Sequence, residues 1–406
     1  MVFSGILFLI YFLPIFLLGY YLVPNKYKNQ WIVLASLLFY AWGAPVFIIY
    51  AVFTAYIDHL IAKRLAIRQD IKLLFLGISL NIGLLLYFKY FNFFTHLLND
   101  AYQIFSIQKH EWSNVVLPIG ISFLTFQKVS YLIDVYRRDC EPQVKFKNYL
   151  LFIFLFPQLI AGPIVRYKDI KDQLTNRVYF SLDQVYQGFF RFTIGLSKKV
   201  IIANSLGAYA DEKFSLDLST LDSSTALLLM LTYTFQIYFD FSGYSDMAIG
   251  LGKMLGFKLP ENFNFPYISR SITEFWRRWH ITLGNWMKDY LYIPLGGNKK
   301  GNVFMYRNLI LVFAISGFWH GAGLNFIFWG LFHGVFLVLE RLILLRFLSK
   351  IKMLGVVYSF IVVSIGWVFF RVEHFSDGLD LLKSIVELNF EIPVVSRSCL
   401  LYTSDG

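Results

Sequence analysis

Charge is scarce in this chain. Asp, Glu, Lys and Arg together make up 16% of 406 residues, against about 25% in a typical soluble domain. Too few ions are present to coat the surface of a water-soluble multidomain enzyme. Cysteine is nearly missing, with Cys140 and Cys399 as the only two, which excludes a disulfide framework and a thiolate metal cluster. No phosphate loop, zinc pattern or nucleophile elbow occurs, and no fixed-period repeat or low-complexity tract. Residues 1–23 are apolar but lack a basic leader and a small-residue cleavage site, so they read as a retained first span and not a signal peptide. What is plentiful is apolar: 57% of residues are hydrophobic, including 44 Phe and 9 Trp. The net charge of +11 then belongs in cytoplasmic loops facing anionic lipid and does not imply a nucleic-acid partner.

A membrane span needs roughly 20 apolar residues. Charge-free windows cover residues 1–25, 29–57, 73–88, 113–127, 149–165, 223–239, 308–339 and 353–370, and 184–210 is apolar but interrupted by Arg191, Lys198 and Lys199. The expectation is an all-α, polytopic transmembrane helical bundle of nine to eleven membrane segments. Lysine and arginine cluster at 63–72, 137–147 and 166–177, which marks those loops as cytoplasmic, whereas 99–112 and 211–222 hold one lysine each and read as external. Window 149–165 lies between two basic clusters and contains Pro157, Gly162 and Pro163. It is expected to be re-entrant, the alternative being a short kinked span. Window 308–339 would be about 48 Å long as one helix, too long for a core of about 30 Å. A turn near 321–325, at Gly321 and Gly323, should split it. Gly43 and Pro45 offer a similar break in 29–57.

Ionisable groups at membrane depth are costly and so are functional candidates. His320, in Gly317-Phe-Trp-His-Gly321-Ala-Gly323, lies thirteen residues past Arg307, about 20 Å along a helix. Imidazole titrates near neutral pH and can take a proton from a hydroxyl. The structural alternative is a helix-packing histidine. His333, in Trp329-Gly-Leu-Phe-His-Gly334, reads as structural, held by an interhelical hydrogen bond. The run Glu274 to Gly297 places Trp276, Trp279, Leu283, Trp286 and Tyr290 at spacings of three and four. It is expected to form an amphipathic interfacial helix. Arg277, Arg278 and Lys288 on its other side are candidates for an anionic cofactor's phosphates, Lys299 and Lys300 following. Asp240 and Asp246 close the 223–239 span and read as structural.

Taken together, these runs resemble the membrane-bound O-acyltransferases, in particular the branch of bacterial subunits that serve polysaccharide O-acetylation. The matching stretches are Leu117 to Ser122, Tyr131 to Arg137, Phe156 to Pro163, Tyr238 to Gly252, Glu261 to Asn264, Ser271 to His280, Asp289 to Gly297 and Trp319 to Gly321. The resemblance implies that His320 is the family's signature histidine, essential for acyl transfer, and that His280 is a second histidine toward the cytoplasmic side of a passage through the bundle. It implies a multi-pass protein of the bacterial inner membrane that moves acetyl from cytoplasmic acetyl-CoA across the bilayer. No cofactor is tightly bound, and acetyl-CoA is the donor substrate. Periplasmic or surface acetyltransferase partners then complete esterification of a polysaccharide such as alginate.

Two alternatives stay open at this point: D-alanyl transfer toward teichoic acid, and a proton-coupled transporter or flippase. Residues 1–398 read as one membrane-embedded domain, C-terminally truncated. Cys399 to Ser404 resembles translated sequencing-adapter DNA, so 399–406 is expected to be a non-native tail.

Overall fold

The apolar windows fold chiefly as helices, and no strand forms among the described residues. The computed structural model describes residues 3–159, 162–348 and 351–389. Cys399 and the expected tail at 399–406 lie outside the described residues, as do Ile160 and Ala161 of the Phe156 to Pro163 run. Four helices are long and apolar enough to cross a bilayer: Ile71–Ile104, Asn302–His320, Leu324–Leu348 and Lys352–Arg371. The shorter Leu7–Leu22 is apolar as well. The chain is an all-α polytopic membrane protein.

Packing divides it into two compact units. The first comprises residues up to Ile194 with Tyr244–Asn262 and Thr282–Tyr290. At its centre is the helix Ile121–Arg137, on which Phe47–Ile67 and Ile71–Leu85 pack. Several polar side chains at this centre are buried and paired with one another. Lys128 lies 3.0 Å from Asp58 and donates to Thr54 at 2.7 Å, while Asn81 donates to Asp58 at 2.8 Å. A buried ion pair is tolerated only when its remaining hydrogen bonds are met. Further along the same helix, both oxygens of Asp134 accept from the Tyr290 hydroxyl at 2.8 Å, and Lys168 donates to one of them at 3.1 Å. The runs Tyr131 to Arg137 and Asp289 to Gly297, remote in sequence, therefore meet at these two residues.

Window 149–165 behaves as its prolines demand. The helix Phe146–Phe154 rises about 13 Å, less than half of a hydrocarbon core. It breaks at Leu155, resumes for one turn at Phe156–Leu159, and is extended after Pro163. Residues 151–159 are buried throughout, the cover that broken backbone at membrane depth needs in a re-entrant element and in a short kinked span alike. The break in 29–57 falls at 44–46, between Lys28–Gly43 and Phe47–Ile67.

Two boundaries depart from the expectation. The helix begun at Ile71 continues to Ile104, so the loop expected over 99–112 starts only at Phe105. Window 113–127 is not a span: it is irregular through Pro118, and its helix starts at Ile121. Pro118 restrains the residue before it to extended backbone, and Gly120 sits at φ 76°.

The second unit comprises Gly195–Gly243, Phe263–Ile281 and the residues from Leu291 onward. Window 308–339 forms a hairpin in it, Asn302–His320 and Leu324–Leu339, split where the glycines predict. The arms touch backbone to backbone. A Cβ on Gly317 would lie 2.1 Å from the Phe326 carbonyl oxygen, and one on Gly330 2.2 Å from that of Phe313. Small residues at crossings allow this approach between apolar helices. Lys352–Arg371 packs against the second arm.

Asp240 and Asp246 do not close a span. They lie inside one helix, Ser223–Met254. Asp240 pairs with Lys199. Asp246 pairs with Arg191 at 2.6 Å, and Arg191 also holds Glu261 at 2.7 Å. Two of the three cations that interrupt window 184–210, Arg191 and Lys199, are thus the partners of these carboxylates, which fits the structural reading of both.

Candidate functional site

Three histidines of the second unit, His280, His320 and His333, border one aromatic core built from Tyr233, Phe275, Trp279, Trp329 and Trp367. His320 is the last residue of the helix Asn302–His320 and is half-buried. Its ring lies edge-on to Trp319, Trp329 and Phe370, with centroids 4.8, 5.2 and 5.3 Å away. The glycine-tight hairpin fixes where that helix end falls.

His280 comes from a different element. The run 274–290 is not the single interfacial helix expected from its periodicity. It is two short helices, Ile272–Arg278 and Ile281–Met287, with His280 in the break at φ 45°. The apolar stripe lies within protein, with Trp279, Leu283, Trp286 and Tyr290 all buried. A left-handed conformation is uncommon outside glycine, histidine being among the more tolerant residues. It costs on the order of 1–3 kcal/mol and persists only where the surroundings impose it.

Those surroundings are visible. Ser271 accepts from the Glu274 N–H at 3.0 Å, and Glu274 accepts from the Arg270 N–H at 2.9 Å, a reciprocal cap on the first helix. Glu340, fully buried, accepts from the N–H groups of Ile272 and Thr273 and from the Thr273 hydroxyl. Its carboxylate sits at the positive end of that helix. Glu340 directly follows the second arm of the hairpin that carries His320, so it ties the two histidine-bearing elements together.

The result is convergence. His280 is buried, its ring 4.7 Å edge-on from Phe241. Burial, reinforced by the charge of nearby His320, holds its imidazole neutral well below the ordinary histidine range. The two rings are therefore within electrostatic reach of each other, although forty residues separate them. Two imidazoles set beside one aromatic core can accept a proton at one ring and donate a hydrogen bond from the other.

The other predicted residues fall elsewhere. All three guanidinium nitrogens of Arg278 are engaged, two by Glu274 at 2.8 and 3.0 Å and one by the Asn264 carbonyl at 3.1 Å. Arg277, beside it, is exposed with no ion-pair partner among the described residues. Lys288 is exposed and belongs to the first unit. Lys299 and Lys300 are exposed as well. His333 corrects the expectation of an interhelical hydrogen bond: neither ring nitrogen has a partner among the described residues. Trp276 and Trp329 enclose it instead, at 5.0 and 5.2 Å, and a Cβ on Gly366 would lie 2.6 Å from its Nε2.

The model of the membrane-bound O-acyltransferase family matches residues 141–370, which include His280, His320 and Glu340. The chain belongs to this family. It is 45% identical to the "Probable alginate O-acetylase AlgI" of Pseudomonas aeruginosa, over 92% of this chain and 72% of that protein. It is 39% identical to the peptidoglycan O-acetyltransferase of Helicobacter pylori, over 96% of this chain and 80% of that protein. The teichoic acid D-alanyltransferase of Bacillus subtilis is 34% identical over 56% of this chain. The protein is a membrane-bound acyltransferase, which sets aside the transporter and flippase alternative.

Sequence reasoning missed Glu340. The signal was available, since it is the one carboxylate in the apolar helix Leu324–Leu348. The left-handed backbone of His280 left no such trace.

Proposed function

We propose that this acyltransferase moves an acetyl group from cytoplasmic acetyl-CoA across the bacterial inner membrane for O-acetylation of an exported polysaccharide. The convergence of His280 and His320 on one aromatic core carries the reading. In it, His320 takes the proton of the acceptor hydroxyl as general base. The freed oxygen attacks the thioester carbonyl, the carbon–sulfur bond breaks, and the imidazolium returns its proton to the departing thiolate. His280, kept neutral, donates a hydrogen bond to the carbonyl oxygen where negative charge develops. Arg277, exposed and with no ion-pair partner among the described residues, is a candidate for the coenzyme's phosphates. Arg278 instead clamps the helix Ile272–Arg278, which ends two residues before His280.

The acceptor is alginate in the printed name of the Pseudomonas relative and peptidoglycan in that of the Helicobacter relative. A periplasmic or surface acetyltransferase partner completes the transfer. The test uses inverted membrane vesicles given radiolabelled acetyl-CoA on the cytoplasmic face, with the operon's partner proteins present. Label reaches partner or glycan with the native protein and not with His320→Ala. Equal transfer by both refutes the role of His320. Transfer from a D-alanyl carrier protein in place of acetyl-CoA assigns the other acyl group.

A further inference from the structure

The first unit holds an open cleft of about 450 Å³ where residues 110–115 arch over the helix Ile71–Ile104. Two asparagines on that helix hold the arch in place. Asn99 donates to the His110 carbonyl and accepts from its N–H, both at 3.1 Å. Asn92 does the same for Val115, both at 2.9 Å. Each side-chain amide pairs with a backbone amide as a neighbouring strand would, so both ends of the 111–114 segment are fixed without regular structure.

The lining is of two kinds. Tyr87 and Phe91 sit one helical turn apart with ring centres 5.6 Å apart. Trp112 stands edge-on to Phe91 at 6.1 Å and is braced by His110 at 4.5 Å. Tyr87 and Trp112 remain 51% and 39% exposed, so their rings are open to a ligand. The arch residues Glu111, Ser113 and Asn114 line the same cleft and bring carboxyl, hydroxyl and amide chemistry to it. Aromatic faces carry negative potential that attracts polarised C–H groups, and convergent amide, hydroxyl and carboxyl groups orient hydroxyl-rich ligands. The volume suits one or two pyranose rings. No lysine or arginine lines the cleft, and Glu111 does, so a polyuronate would meet its own charge. The loop also belongs to the segment whose cation content marks it as external.

We propose that this cleft binds an uncharged or N-acetylated sugar unit of the glycan served by the acyltransferase, stacked on Trp112 and Tyr87. The proposal rests on the reading of the protein as a glycan O-acetyltransferase and narrows the acceptor.

The test is calorimetric titration of the full-length protein in nanodiscs with N-acetylglucosamine tetramer, and separately with a mannuronate tetramer. The N-acetylated tetramer binds and the mannuronate binds at least about tenfold more weakly. Trp112→Ala and Tyr87→Ala each weaken binding about tenfold. Absence of sugar binding by the native protein overturns the proposal, as does binding that neither aromatic substitution alters. Quenching of Trp112 by brominated lipid, read as native minus Trp112→Ala fluorescence, also overturns it, because the ring would then face the bilayer. These outcomes are independent of label transfer in vesicles, so the cleft and the acetyl-transfer reading fail separately.

Discussion

Gly317→Ala tests whether the backbone contact within the hairpin sets the position of His320. The new Cβ would lie 2.1 Å from the Phe326 carbonyl oxygen, where ordinary contact begins at 3.4 Å. The obstacle is backbone, so no rotamer change relieves it, and the arms must part by roughly 1 Å. Overpacking of this kind costs about 1–3 kcal/mol, which a membrane bundle survives. His320 lies three residues further on the same helix, so the displacement reaches it almost undiminished. A misplacement of about 1 Å at a reacting group lowers the rate on the order of 100-fold. The expected outcome is folded protein with transfer reduced by that factor. Gly83→Ala is the control: nothing lies within 4 Å of its added Cβ, and alanine inside a helix gains about 0.5–1 kcal/mol over glycine. The assay is the initial rate of label transfer in vesicles, normalised to monodisperse protein by size exclusion. A native rate for Gly317→Ala would refute the argument that the crossing positions His320.

Glu340→Ala removes the acceptor of three donors at the start of the helix Ile272–Arg278. It is expected to cost about 2 kcal/mol and at least tenfold in transfer, whereas a native rate would separate that cap from His280. Lys128→Met leaves Asp58 buried without its cation and should lower stability in detergent by about 3–5 kcal/mol, most of it recovered in the double variant Asp58→Leu, Lys128→Met. Asp222 caps the helix Ser223–Met254. Burial would raise its pKa, but hydrogen bonds from Ser224 and Thr225 prevail and hold it at about 2. Its folded value lies below the unfolded value of about 3.9, so its stabilisation is complete above pH 4 and is lost as pH falls through 2. The thermal midpoints of native protein and Asp222→Ala should therefore converge between pH 4 and pH 2, and a gap unchanged with pH would count against the cap.

Much of the fold was legible because it follows from length and composition. The turn at 321–323 was forced by a window too long for the bilayer, and the break at 44–46 by Pro45. The buried, broken segment after Phe154 was announced by Pro157, Gly162 and Pro163. The errors share one cause, which is that hydropathy counts residues without seeing what they touch. Window 113–127 has the composition of a span, yet Pro118 and Gly120 keep its first half from helix. The Trp276 to Tyr290 periodicity reads as one continuous helix, since nothing in a spacing pattern reveals that His280 turns left-handed. At the site, the histidines could be nominated from their apolar settings. That His280 and His320 share an enclosure is a long-range packing result, set by Glu340 and the glycine crossings, which no local window contains.

The rule that intramembrane ionisable groups are functional nominates too many residues here, and pairing is what sorts them. Asp58 with Lys128, Asp240 with Lys199, Asp246 with Arg191 and Arg278 with Glu274 are each neutralised by an opposite charge. Their cost is offset within the fold, and no chemistry is required to explain them. The histidines differ in being set among aromatic rings. Burial, reinforced by the charge of His320, disfavours a proton on His280. In the proposed transfer one ring gains a proton during attack while the other stays an uncharged donor to the carbonyl oxygen.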